Sequence, residues 1–267
     1  MFYNVKESKV KIADTQIDYI TFGTGDKSLI MIQGLNTRGL KGAGLSLALM
    51  YRIFAKEYKV YLFDRRPNVW EEITVRDFAK DIALAMDELG IVNADVWGVS
   101  QGGMIAQYLA IDRPDLVHKL VLAVTLSRNN DTVKTVIRSW IEMTEQNNMK
   151  MLIKDMAVKM YSEEYRKRYQ PFLPLLTILQ KPKDKKRFII LAKSCLTCNT
   201  YEELNKIKCP VFVIGGRKDK VVGEGSMEEI SDKLNCEMYL YENLGHGAYE
   251  EAKDFNQKVF EFLTHTS

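Results

Sequence analysis

The run VWGVSQGGMIAQYLA, Val96 to Ala110, constrains the fold more than any other stretch, because a strand-like apolar segment turns through Gly98, Ser100 and Gly102 directly into a helix-like one. Ile91 to Val99 reads as a buried strand and Met104 to Leu109 as the apolar face of a helix. A serine at so tight a strand-to-helix turn is held in strained backbone geometry, and small neighbours let strand and helix approach closely. Gly98, Gly102 and Gly103 meet that demand. The turn leaves the next backbone N–H groups at a helix N-terminus, aimed at any negative charge that develops beside the serine. The alternative reading makes the pattern a coincidence and Ser100 a helix cap.

Around this run, apolar stretches and helical periodicities alternate. Residues 9 to 22 suit an antiparallel hairpin with Val10, Ile12, Ile17, Tyr19 and Phe22 as its apolar positions. Short continuous apolar runs follow at Leu29 to Ile32, Val60 to Phe63, Ala94 to Trp97, Leu120 to Val124, Val211 to Ile214 and Met238 to Tyr241, as strands buried on both faces read. Helical segments at Leu45 to Phe54, Val75 to Leu89 and Met104 to Ala110 separate them. Strands alternating with helices predict an α/β fold, a mainly parallel central sheet with helices on both faces and functional groups at the carboxyl ends of the strands.

The alternation stops after Val124 and resumes near Cys209. The intervening stretch reads as helix after helix, with Met143, Met149, Met151, Met156, Met160, Leu175, Leu176 and Leu179 as apolar positions and Pro171, Pro174 and Pro182 as breaks. Such a length is too great for a loop in a compact domain. It predicts a core of residues 1–126 and 199–267 with a helical cap insertion at 127–198, over the carboxyl edge of the sheet. From Arg128 to Thr200 there are 15 Lys and Arg against 7 Asp and Glu, although the whole chain carries only +3. That balance fits a solvated helix surface, with Arg166 to Arg168 and Lys181 to Arg187 keeping a Met-rich lid soluble, or a rim that gathers an anionic small-molecule substrate.

At 267 residues the chain can bury a core without disulfides. Cys195 and Cys198 form CxxC without a second pair or a nearby histidine, so reduced thiols in a cytoplasmic protein are expected. The N-terminal residues do not read as an export signal, and no apolar run reaches the about 18 residues of a membrane span. Three scattered histidines argue against a catalytic metal, and the small net charge does not call for nucleic acid. A monomer or homodimer without membrane or nucleic-acid partners is expected.

A serine on such a turn needs a base and an acid that orients the base. His246, in the Gly-flanked loop ENLGHGAY before the last helix, is the best base; His118, placed at a solvent edge, and His265, in the tail, compete poorly. Asp219, after the strand VFVIGG near the presumed sheet centre, is the best acid, with a turn aspartate as its plain reading. Asp64 precedes the serine and reads as an organiser of the loop over the pocket. Backbone donors for an oxyanion are expected from Gln101 and from Leu35, with Gly34 allowing a sharp bend and the side chains of Gln33 and Asn36 bracing the loop or touching substrate. Leu35, Asn36, Gln101, Trp140, Val221 and Val222 are pocket candidates by loop position.

With these residues in place the chain resembles the α/β-hydrolase family, in particular its capped branch of enol-lactonases, carboxylesterases, iminopeptidases and perhydrolases. Ser100, Asp219 and His246 fall in that family's order over nearly the whole chain. The resemblance implies a serine hydrolase that cleaves a small ester, lactone or thioester through an acyl-enzyme and needs no cofactor. Carbon–carbon bond hydrolysis, perhydrolysis or ligand binding on the same fold are its alternatives. Relatives that use aspartate as nucleophile are excluded by Ser100, and the basic cap disfavours recognition of a free amine. Many relatives begin the oxyanion loop with His-Gly; Gln33-Gly34 keeps the glycine and removes a bracing histidine.

Overall fold

The computed structural model describes residues 2–169 and 182–265. An eight-stranded sheet runs through it in the order β1-β2-β4-β3-β5-β6-β7-β8. The strands are β1 (Lys6–Ile12), β2 (Thr15–Phe22), β3 (Lys27–Ile32), β4 (Tyr58–Phe63), β5 (Ala94–Val99), β6 (Val117–Ala123), β7 (Val211–Gly216) and β8 (Glu237–Tyr241). β2 is antiparallel to β1 and to β4, and every other pairing is parallel.

Period-two alternation inside the apolar runs splits the core into two layers. Ile30, Val96, Leu120 and Val213 face one way, onto α2 (Val75–Glu88), α3 (Gln101–Asp112) and a later helix at Ser226–Leu234. Their neighbours Met31, Trp97, Val121 and Phe212 face the other way, onto Phe54, Phe255, Val259 and Leu263. Both faces of the central strands are therefore filled, as parallel strands require. α2 starts at a reciprocal capping box of Thr74 and Asp77, a feature that stabilises a helix end by about 1 kcal/mol.

Several sequence expectations shift. The strand expected over Ile91 to Val99 begins at Ala94, because Asn93 takes a positive φ of 50° and Val92 is 69% exposed. The helix expected over Leu45 to Phe54 divides into α1 (Gly44–Met50) and a 3-10 turn at Arg52–Phe54. β7 lies next to the edge strand β8, not at the sheet centre. His118 keeps its expected exposed place at the start of β6, although β6 is an interior strand, and its Nδ1 meets Asp95 Oδ1 at 2.7 Å.

Between β6 and β7 the described chain forms α4 (Asp131–Glu145), α5 (Met149–Met160), α6 (Glu163–Tyr169) and α7 (Lys185–Cys195). Arg128 pairs with Asn199 in an antiparallel bridge, and Thr200 N–H donates to Ser127 O at 2.7 Å, so the outgoing and returning chains are pinned together. Pro171, Pro174, Leu175, Leu176, Leu179 and Lys181 lie outside the described residues. Among the described residues no helix is long and apolar enough to cross a membrane.

Candidate active site

Parallel register brings the site together. Ile32 pairs with Phe63 on one side and with Gly98 on the other, and Val99 pairs with Ala123. The chains leaving β3, β4, β5 and β6 thus emerge side by side, and residues 33–36, 64–65, 100–103 and 124–125 are forced into proximity.

Ser100 sits at the junction of β5 and α3 with φ 54° and ψ −118°, outside the comfortable range of a non-glycine residue. Three tethers hold it there. Its N–H donates to Ala123 O at 2.8 Å, its carbonyl accepts from Thr125 Oγ1 at 2.8 Å, and Gly103 N–H closes onto the same carbonyl at 2.8 Å. The glycines are required by close approach. A Cβ on Gly98 would stand 2.4 Å from Gly102 O, and one on Gly102 would stand 1.9 Å from Ile32 O.

His246 Nε2 lies 3.0 Å from Ser100 Oγ, and its Nδ1 lies 2.7 Å from Asp219 Oδ2. A carboxylate accepts, so Nδ1 carries the proton and Nε2 presents a lone pair to the serine hydroxyl. The imidazole is 4% exposed and Asp219 1% exposed, which keeps their interaction out of water. Asp219 Oδ1 is fixed by the backbone N–H groups of Val221 at 2.8 Å and Val222 at 3.0 Å. The loop bearing His246 is attached to the helical excursion, where Gly247 N–H donates to Met160 O at 2.7 Å.

The loop after β3 lies against the serine. A Cβ on Gly34 would be 3.2 Å from Ser100 Cβ and 3.3 Å from Val99 O, while Gly34 has no positive φ. The chain bends at the next residue, Leu35, and the missing side chain of Gly34 also serves the contact with the nucleophile. Gln101 N–H is the first of α3, where no carbonyl four residues back is available to it. The loop is braced through the backbone of Gln33, whose carbonyl accepts from Arg65 Nη2, not through the side chains of Gln33 or Asn36. Asp64 anchors the far end, accepting from Leu40 N–H at 2.9 Å and Arg65 N–H at 2.7 Å.

Sequence reasoning missed Arg65, Thr125 and the side chain of Gln101. Arg65 is 4% exposed, and burial pushes its guanidinium down to about 10, still cationic at neutral pH. Its Nη2 also reaches Gln101 Oε1 at 3.3 Å, while Gln101 Nε2 donates to Leu191 O at 2.7 Å and Ser194 Oγ at 3.1 Å on α7. The Gln101 side chain is therefore a buried tie between elbow and helical excursion, not a pocket wall. Trp140 is also buried, with Nε1 donating to Asp155 at 2.8 Å, and Val221 and Val222 are buried behind Asp219. Of the basic clusters, Lys167 pairs with Glu163 on the surface, but Arg187 points inward to Arg65 O at 3.1 Å. Among the described residues no group of three or more His, Cys, Asp or Glu could hold a metal ion.

A family model described as the alpha/beta hydrolase fold matches residues 27–253. The chain belongs to the alpha/beta hydrolase family. Among similar hydrolases, the 2-hydroxy-6-oxononadienedioate/2-hydroxy-6-oxononatrienedioate hydrolase 1 of Dechloromonas aromatica (strain RCB) is 26% identical over 284 aligned residues, covering 99% of this chain and 95% of that protein. The enol-lactonase from Burkholderia xenovorans LB400 superposes with a TM-score of 0.84 at 20% identity, over 97% of this chain and 100% of that one. MGS-M2, an alpha/beta hydrolase enzyme from a Medee basin deep-sea metagenome library, superposes with a TM-score of 0.85 at 22% identity, over 97% and 98% of the two chains. At these identities the two structures establish the shared fold.

Proposed function

We propose that this hydrolase cleaves a small ester, lactone or thioester by two-step acyl transfer at Ser100. The observation that carries the reading is the continuous chain from Ser100 Oγ to His246 Nε2 at 3.0 Å and from His246 Nδ1 to Asp219 at 2.7 Å, set at the N-terminus of α3. His246 takes the serine proton as the hydroxyl attacks the carbonyl. Asp219 holds the ring in the required tautomer and stabilises the imidazolium. The N–H groups of Leu35 and Gln101 receive the oxyanion; losing one such donor costs about 10²- to 10³-fold in turnover. The imidazolium then protonates the leaving group, and water repeats the sequence on the acyl-enzyme.

The segment 127–198 is the cap in this reading, tied to the nucleophile through Gln101 and to the base through Gly247. Four free thiols suit a reducing, cytoplasmic setting. Carbon–carbon bond hydrolysis is the second reading, favoured by the likeness to a relative named for an oxononadienedioate.

The test is mass-spectrometric labelling with a fluorophosphonate on wild type and on Ser100→Ala, followed by hydrolysis of p-nitrophenyl esters of increasing chain length. Stoichiometric modification at Ser100, absent from the variant, with ester turnover supports the mechanism. A folded protein that takes no label is a ligand-binding member of the family instead.

A further inference from the structure

His246 stands between Gly245 and Gly247, and neither glycine takes a positive φ. Their missing side chains answer close approach instead. A Cβ on Gly247 would stand 2.5 Å from Tyr161 Cδ1 and 3.1 Å from Met160 O, and one on Gly245 would stand 3.0 Å from Lys218 O and 3.4 Å from Met160 O. The loop of the base is thus gripped from two sides. On one side Lys218 N–H, just beyond the end of β7, donates to Leu244 O at 2.9 Å. On the other stands the corner between α5 and α6, made by Met160, Tyr161 and Ser162.

Met160 O belongs to the last turn of α5, where the helix itself supplies no N–H partner. Gly247 N–H supplies one at 2.7 Å, and the Tyr161 ring lies against the same glycine. The residues that follow His246 extend the contact into a seam. Glu251, at the end of the short helix Ala248–Glu251, accepts from Ser162 N–H at 2.9 Å and from Ser162 Oγ. At the surface Tyr161 OH donates to Glu250 Oε2 at 2.6 Å. The hydroxyl that reaches Glu251 also accepts from Tyr165 N–H at 3.2 Å, so one serine both starts α6 and fastens it to the segment after the base. Asp219 fixes the tautomer of the imidazole, but a bond to Nδ1 does not by itself fix where the backbone carrying the ring lies. The distance of 3.0 Å from Nε2 to Ser100 Oγ depends on both.

We propose that the corner at residues 160–162 positions His246: the base meets Ser100 only while the corner is seated on residues 247–251, which makes Tyr161 and Glu251 positioning residues of the reaction. This inference rests on the reading that His246 activates Ser100. It ties turnover to the seating of the helical excursion, because a displacement of α5 is felt directly at the loop of the base.

The test opens the seam from each side. Tyr161→Ala deletes the ring on Gly247 from the excursion, and Glu251→Ala deletes the acceptor for Ser162 from the segment after the base. Tyr161→Phe keeps the ring, and Glu251→Gln keeps an acceptor oxygen. Both alanine variants are expected to lower kcat on p-nitrophenyl butyrate by about 10- to 100-fold, the cost of a base displaced by a fraction of an ångström to one, with KM changed by less than about threefold. Fluorophosphonate labelling of Ser100 should slow by a similar factor, and the conservative variants should recover most of both rates. With isotopically labelled histidine, the Nε2 resonance of His246 reads the hydrogen bond from Ser100 without turnover. In the alanine variants it is expected to move toward its position in Ser100→Ala. Melting curves give the folded fraction, and where one alanine variant fails to fold, the other, across the seam, carries the comparison. Unchanged kcat and labelling in folded variants, a loss confined to KM, or an unmoved resonance beside a fallen kcat overturns the positioning role. A wild type that takes no label sinks the serine mechanism on its own, and the resonance then decides alone whether the corner positions His246.

Discussion

Arg65 Nη2 donates to the backbone carbonyl of Gln33, the residue immediately before Gly34, and so connects the loop after β4 to the loop that borders Ser100. Where many relatives are expected to brace this loop with a histidine, a buried guanidinium here holds it from the neighbouring strand end. Arg65 touches neither the nucleophile nor the base, so it acts by positioning. Arg65→Met is expected to lower kcat on p-nitrophenyl butyrate by about 10²-fold, the cost of a misaligned oxyanion donor, with a smaller change in KM. Gln33 O and Gln101 Oε1 lose a partner, so a stability loss of about 1 to 3 kcal/mol accompanies it. Arg65→Lys should recover part of kcat. A kcat loss that merely equals the unfolded fraction of Arg65→Met removes the positioning role.

Gly34 and Gly102 are both required for close approach, but they predict different failures. An added methyl at Gly34 meets Ser100 Cβ and Val99 O at 3.2 and 3.3 Å, contacts that yield by a few tenths of an ångström. Gly34→Ala should therefore fold, with stability changed by about 1 kcal/mol, and lose about 10²-fold in kcat through displacement of the reacting groups. At Gly102 the methyl meets Ile32 O at 1.9 Å, a backbone atom inside the sheet. Gly102→Ala should fail to give soluble protein. Paired melting curves and steady-state rates separate the two cases.

Asp219 receives Val221 and Val222 N–H on one oxygen and faces His246 Nδ1 with the other. An asparagine keeps the first role through its carbonyl oxygen but presents an amide N–H to Nδ1. The imidazole proton then moves to Nε2, towards Ser100, where it cannot serve as a base. Asp219→Asn is expected to retain the melting temperature within a few degrees and to lose about 10⁴-fold in kcat, as the same exchange does in a serine protease triad. A loss below tenfold would show that another group orients His246.

The sheet and the order Ser100, Asp219, His246 were legible because both follow from local signals. Continuous apolar runs mark strands buried on two faces, and a Gly-flanked serine between strand and helix has few other uses. Arg65 and Arg187 were not legible, although each stands in a stretch the sequence draws attention to. Their roles depend on register: Ile32 opposite Phe63 places residue 33 beside residue 65, and only the packing of α7 turns Arg187 inward while Lys167 stays on the surface. Linear charge counts cannot separate an arginine turned onto the core from one that solubilises a helix. Two pocket candidates were misplaced for the same reason, whereas Asn36 does line a cavity. Gln101 and Trp140 occupy loop or helix positions near the serine in sequence logic, yet their polar atoms are already bonded within the chain.

Cys195 and Cys198 carry the last prediction, which concerns the CxxC pair. Burial pushes both thiols up to about 12 from the usual value near 9, so neither is a thiolate at neutral pH. In the native protein they should resist iodoacetamide at pH 8 and react once the chain is unfolded in denaturant. The same shifts set a pH dependence of stability. Because the folded-state values are raised, the folded chain holds the protons more tightly than the unfolded chain does. The associated stability is complete below about pH 9 and is lost as pH rises from 9 through 12. Urea midpoints measured from pH 8 to 11 should fall steadily in wild type and less steeply in the Cys195→Ala, Cys198→Ala double variant. Equal slopes in the two proteins would assign the alkaline loss to other groups and leave the thiols without a part in it.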